Sequence, residues 1–232
     1  MIEFTRRIAK EIRAVFKKAL GRSQADLHFI AGPDGLRIQV QGYEHAAEFH
    51  DPAPRPPAEL MVPGNLLDDV QGDRNEPVVL SAPKKTLLAA AWEERGVAHR
   101  MQYHRPKSKP ASFPQAPVTF RELGPEFLTA LHHAYETTDP YNSRYALGCI
   151  QLRGQTGEIV ATDGRHLLVQ SGYFLGFEDD VLVRNTSAFG CKQLPRNQPV
   201  EAGRTAEHLV IRVGPWTFYL GLDTQGRFPC LD

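Results

Sequence analysis

The order of predicted elements occurs twice along the chain. The first half opens with a short strand and a helix (Glu3–Gly21, EFTRRIAKEIRAVFKKALG). Two strands joined by a turn follow (Leu27–Gly42), then a short helix-like segment from Val62 (VPGNLLDDVQ) and a hairpin-like pair (Pro77–Trp92). The second half repeats that order with Val118–Glu136, Gly148–Gly164, a segment from Val183 (VRNTSAFGCKQL) and His208–Asp223. Two glycine pairs share one offset of 122 residues (35 to 157, 42 to 164). Each half closes on Phe-Pro, at Phe113-Pro114 and Phe228-Pro229, 115 residues apart (113 to 228). The unequal offsets indicate loop insertions, and a period this long means duplicated domains and not a solenoid.

The stretch Arg105–Pro117 (RPKSKPASFPQAP) separates the halves. Its prolines favour an extended connection and exclude a helix. The expected domains are therefore residues 1–110 and 117–232. A second proline-rich patch, Asp51–Glu59, reads as a loop within the first. Alternating or continuously apolar strands, such as Ile38–Val40 and Leu209–Val213, place each half in the α+β class. The expectation is two tandem domains, each with two helices packed on antiparallel sheet.

The clearest periodicity lies in residues 5–22. Ile8, Ile12, Val15, Phe16 and Ala19 form one apolar stripe at helical spacing. Arg6, Lys10, Arg13 and Lys17 follow the same spacing on the opposite face, with Arg7 and Lys18 beside them. Arg22 follows the Gly21 stop, and Glu11 interrupts the basic run. A cationic face of this kind suits a phosphate backbone, because it supplies charge without reading bases. The simpler reading is a solvated surface.

Composition limits the alternatives. Lys+Arg and Asp+Glu both number 27, so the formal net charge is zero and the chain is not a uniformly basic nucleic-acid binder. No apolar run is long enough to span a bilayer, and MIEFTRRIAKEIR lacks the apolar core of a signal peptide. Cys149, Cys191 and Cys230 are far apart and odd in number, which reads as reduced thiols of a cytoplasmic protein. Without a CxxC pair or HExxH, no metal or cofactor is expected.

The most specific stretch is Ser143–Gln170, SRYALGCIQLRGQTGEIVATDGRHLLVQ. Arg144 and Tyr145 stand at a strand entrance. Thr162-Asp163-Gly164 is a turn sequence, since Asp bonds nearby backbone and Gly accepts positive φ. Residues Arg144, Tyr145, Leu147, Gly148 and Ala161–Gly164, with Leu167 close behind, resemble the middle domain of the bacterial sliding clamp, the β subunit of DNA polymerase III. Gly226-Arg227-Phe228-Pro229 resembles the close of that domain. The first half is a weaker match, through its helix, Val62-Pro63 and its Phe-Pro end. Arg165-His166 departs from the family, which has His-Arg at this point.

The resemblance implies a processivity factor that encircles duplex DNA without sequence specificity. Arg6, Arg7, Lys10, Arg13, Lys17, Lys18, Arg22, Arg144 and Tyr145 would contact the DNA, with Lys192 and Arg196 as weaker candidates. It further implies a pocket for short linear peptides of polymerase, clamp-loader or repair proteins, formed on this chain by Leu147, Thr162, Gly164 and Leu167 with Arg165 and His166 at the rim. The family carries a third domain after the Phe-Pro segment, so the chain is expected to be a two-domain fragment. A two-domain clamp would instead close a homo-oligomeric ring of six domains with three copies.

Two other classes compete. A clamp-like interaction module that has lost DNA binding fits the zero net charge and the helix Pro125–Glu136, which offers His132 and His133 but no Lys or Arg. A metal-dependent or acid–base enzyme would use Asp163 with His166, or His132, His133 and Glu136. No nucleophile motif accompanies either set.

Overall fold

The computed structural model describes residues 1–21, 25–107, 112–141 and 146–229. The chain divides into two compact units, Met1–Phe113 and Pro114–Asp232.

In the first unit the order is β1 (Ile2–Thr5), α1 (Arg6–Leu20), β2 (Leu27–Gly32), β3 (Gly35–Gln41), β4 (His45–Asp51), then β5 (Ala58–Val62), α2 (Leu66–Val70), β6 (Pro77–Lys84), β7 (Leu87–Glu94) and β8 (Val97–His104). This is one βαβββ motif written twice. The motifs exchange their first strands. Strand β1 pairs antiparallel with β6 (Ile2 opposite Leu80), giving the order β1-β6-β7-β8. Strand β5 pairs with β2 (Leu27 opposite Val62), so that β5, β2, β3 and β4 lie side by side. Each motif thus completes the sheet of the other, and neither can bury its core alone.

The second unit repeats the plan with β9 (Arg121–Leu123), α3 (Glu126–Thr137), β10 (Cys149–Arg153), β11 (Glu158–Thr162) and β12 (Leu167–Gln170), then β13 (Val181–Arg184), a 3-10 turn (Ser187–Gly190), β14 (Val200–Arg204), β15 (His208–Val213) and β16 (Trp216–Gly221). Strand β9 joins β14, and β13 joins β10. The α+β class with antiparallel sheets is as expected. The second helix expected here is instead the four-residue 3-10 turn. Its residues explain the shortening. Thr186 accepts a hydrogen bond from the Ala188 amide, and Asn, Thr and Ser favour caps over helix interiors. Phe189 is buried edge-on against Phe218 at 5.5 Å, so the turn still delivers its core side chain.

Helix α1 starts and stops where its sequence signals. The Thr5 hydroxyl accepts from the Ile8 amide at 3.2 Å, and Gly21 takes positive φ at the end. Ile12, Val15, Phe16 and Ala19 are buried against β4 and α2, joined by Ala9. Ile8, expected in the stripe, is only half-buried. In the second unit Phe127, Leu128, Ala130, Leu131 and Ala134 bury the inner face of α3 against β11 and β12.

Candidate functional site

The outer face of α1 is cationic in sequence and largely paired in space. Arg6 departs most from expectation. Its side chain is 6% exposed. Nε donates to the Val70 carbonyl at 3.2 Å and Nη2 to the Gln71 carbonyl at 2.8 Å. Nη1 lies 3.1 Å from Glu76 and 3.1 Å from Glu94. Helical side chains lean toward the N-terminus, and this lean carries a residue of the first turn off the solvent face toward the end of α2. Gly72 leaves room for it, since a Cβ there would lie 2.8 Å from Arg6 Cζ. Arg6 is therefore a buried structural residue and not part of an exposed phosphate-binding face.

The next three cations remain on the surface, each with a carboxylate. Arg7 pairs with Glu11 one turn on at 3.2 Å. Lys10 bonds Asp73, and Arg13 bonds Asp68. The hydrogen bond from Lys10 and its charge hold the Asp73 carboxyl below its ordinary pKa. Lys17 and Lys18 are exposed on the last turn. Lys17 and Arg13 border a cleft of about 350 Å³ between α1 and α2, floored by Phe16, Leu20 and Leu67. Arg22, Arg144 and Tyr145 lie outside the described residues. Arg196 donates to the carbonyls of Phe189 and Cys191, closing the 3-10 turn, while Lys192 is exposed.

The sequence reading missed the partners of this face. Asp68 and Asp73 come from the segment LLDDVQGDRNE, whose acidity is visible in sequence. The folding of that segment against α1 is not visible there, because the pairs span 55 and 63 residues.

The second candidate region is the turn after β11. Asp163 Oδ1 accepts from the Arg165 amide at 2.8 Å and the His166 amide at 2.7 Å, and Oδ2 lies 3.0 Å from His166 Nδ1. Gly164 has φ of 87°. Thr162 Oγ1 accepts from the Gly164 amide and donates to the His166 carbonyl at 2.6 Å. These bonds fix Thr162 and Gly164 within the turn, and Leu147 lies beside Gly164. A Cβ on Gly164 would lie in ordinary contact with Leu147 Cδ1, at 3.5 Å. Leu147 and Thr162 are buried, whereas Arg165, His166 and Leu167 are exposed. The exposed apolar strip continues to Val169; Leu-Leu-Val-Gln is apolar at three successive positions, so only the structure separates its exposed side chains from its half-buried ones.

The Asp163–His166 contact serves this turn. The hydrogen bonds from His166, then those from the two amides, hold the Asp163 carboxyl well below the usual carboxylate range. A folded value below the unfolded one, about 3.9, means the stabilisation is complete above about pH 4 and is lost as pH falls through the depressed value. A carboxyl-carbon NMR titration should therefore find Asp163 still ionised where unperturbed aspartates are half-protonated. A normal midpoint would dismiss the turn geometry. His132 Nε2 lies 3.5 Å from Glu136 across one helical turn, and His133 is exposed. Among the described residues no group of three or more His, Cys, Asp or Glu side chains is arranged to hold a metal ion. None of the described helices is long and apolar enough to cross a membrane.

No protein-family model and no curated protein sequence matches the chain. Solved structures do. The crystal structure of the DNA polymerase III subunit beta from Pseudomonas aeruginosa aligns over 98% of this chain and 66% of its own, with a TM-score of 0.74 and 16% identity. The DNA polymerase III beta chain of Streptococcus pneumoniae aligns over 99% of this chain and 66% of its own, with a TM-score of 0.75 and 13% identity. The Helicobacter pylori beta clamp bound to a DNA ligase peptide aligns over 99% and 68%, with a TM-score of 0.70 and 16% identity. The chain has the sliding-clamp fold, and it spans about two thirds of the length of these structures.

Proposed function

We propose that this chain is a sliding-clamp-like processivity factor that holds duplex DNA without reading its sequence and tethers polymerase or repair partners to it. The observation that carries the reading is the clamp fold over 98% of the chain, with a lysine- and arginine-bearing helix in its first unit. The two units are read as tandem clamp-like domains meeting near residues 105–117. Sequence-independent holding needs charge and not base contacts, and Lys17 and Lys18 place such charge at the exposed end of α1. Arg22, Arg144 and Tyr145 are proposed DNA contacts on the resemblance alone. Leu147, Thr162, Gly164 and Leu167, with Arg165 and His166 at the rim, form one wall for a short linear peptide of the kind bound by the H. pylori clamp. In this reading the protein is a cytoplasmic accessory subunit without a catalytic site of its own, working in a ring of clamp-fold domains.

Anisotropy of a labelled duplex across a salt series tests the reading. Binding should be indifferent to sequence and weaken linearly in log salt. Lys17→Glu/Lys18→Glu should flatten the slope by about 0.9 for each phosphate that is no longer neutralised, with the melting temperature nearly unchanged. Absence of duplex binding even at low salt, by the parent chain and by chains with the α1 carboxylate partners neutralised, would favour the second reading, an interaction module of clamp fold. The pairing of Arg7, Lys10 and Arg13 with carboxylates is what favours that alternative.

A further inference from the structure

Three cations from successive turns at the start of α1 are engaged by the segment running from α2 into β6. Arg6 is held by Glu76, Lys10 by Asp73 and Arg13 by Asp68. The first of these contacts is buried and builds the fold. The other two differ in kind. Lys10 and Asp73 are 49% and 84% exposed, and Arg13 and Asp68 are 36% and 45% exposed. Both cations therefore stand at the water boundary, where a phosphate could reach them if the carboxylate were displaced. A carboxylate presents two anionic oxygens, much as a phosphate does, so Asp68 and Asp73 occupy the coordination a DNA backbone would use. Exposed pairs of this type are weak, because water and salt screen them. They contribute little to folding, yet they are strong enough to compete with individual phosphate contacts.

We propose that Asp68 and Asp73 are internal competitors for the phosphate backbone, setting how tightly the first unit holds duplex DNA by occupying Lys10 and Arg13. The inference rests on the DNA-holding reading and adds to it a pair of affinity-setting residues. Two consequences follow from charge alone. Each carboxylate neutralises a cation that would otherwise release a counterion on binding. It also stands as a like charge against the incoming phosphate. Both effects weaken the grip without altering its indifference to sequence, a useful property for a protein that must move along DNA.

The test compares the 232-residue chain with Asp68→Asn/Asp73→Asn, which keeps shape and removes charge, on a random-sequence duplex over a salt series. The two freed cations should tighten binding about tenfold or more at roughly 0.1 M salt and steepen the log–log salt slope by about 1.8. A matched variant, Asp34→Asn/Glu93→Gln, removes the same charge at exposed positions that pair with none of these cations. It should leave the slope near the parent value. Equal slopes for parent and Asp68→Asn/Asp73→Asn overturn the inference while leaving the DNA-holding reading intact. An equal gain in the matched variant also overturns it, by tracing the effect to net charge. Binding by Asp68→Asn/Asp73→Asn where the parent shows none supports the competition directly. No binding by either defeats both the inference and the reading beneath it. Circular dichroism melts within a few degrees of the parent confirm that the variants being compared are folded.

Discussion

Replacing Arg6 with methionine should lower the stability of the first unit by about 3 kcal/mol, because it removes a buried guanidinium and leaves its acceptors unpaired. The guanidinium ties the first turn of α1 to the end of α2 through the carbonyls of Val70 and Gln71, to the entry of β6 through Glu76, and to β7 through Glu94. Methionine fills much of the volume and leaves the carbonyls of Val70 and Gln71 without their donor, and Glu76 with Arg74 alone beside it. Lysine should do only somewhat better. Its single ammonium cannot reproduce the planar fork that reaches several acceptors at once. The melting temperature of Arg6→Met should fall by more than about 10 °C. Adding Glu76→Gln and Glu94→Gln should recover part of the stability, since the stranded negative charges disappear. A change within about 1 kcal/mol for Arg6→Met would mean that Arg6 is a surface residue after all.

The second large effect is expected at a pair of glycines. Gly35 and Gly157 hold the same place in the two halves, and both adopt positive φ, 110° and 66°. Each is approached from behind by a backbone carbonyl sixteen residues further along the chain (35 to 51, 157 to 173). A Cβ on Gly35 would overlap the Asp51 carbonyl, and one on Gly157 would overlap the Tyr173 carbonyl. Alanine would face two costs at once: a backbone conformation that side chains disfavour, at about 1–3 kcal/mol, and a steric overlap with a strand or loop that is itself hydrogen-bonded. At Gly157 the approaching segment is fixed by the bond from the Tyr173 amide to the Gly157 carbonyl at 3.0 Å. Gly35→Ala and Gly157→Ala should each lower the urea midpoint by an amount equivalent to about 3 kcal/mol or more. Gly96→Ala is the control. It also has positive φ, 82°, but a Cβ there meets nothing within 4 Å, so only the conformational cost remains. If all three variants are destabilised equally, the close approach contributes nothing.

Much of this molecule can be read from local sequence. The repeated order of strand, helix, strand pair, short helical segment and hairpin follows from the spacing of apolar residues, turn glycines and prolines. Those signals act within a few residues. Helix α1 begins at Thr5 and ends at Gly21 because a hydroxyl cap and a flexible glycine suffice to start and stop a helix. The turn at Asp163 is legible for the same reason: its carboxylate bonds amides two and three residues ahead. The Gly35 and Gly157 offset, visible as arithmetic, marks a shared steric demand.

Other features depend on contacts between distant parts of the chain. Strand exchange, with β1 completing one sheet and β5 the other, leaves no trace in periodicity, because a strand carries no record of which neighbour it pairs with. The character of the basic helix face was decided in the same way. Periodicity places Arg6, Lys10, Arg13 and Lys17 on one side of α1 but cannot say what packs there. Arg6 became a buried anchor because α2 and β6 bring carbonyls and Glu76 to it across 64 to 70 residues. Lys10 and Arg13 became paired because the same fold delivers Asp73 and Asp68. Charge along a helix is a property of sequence. The field that the helix presents to a ligand also depends on which opposite charges the tertiary structure places beside it, since charges interact through space and not through chain order.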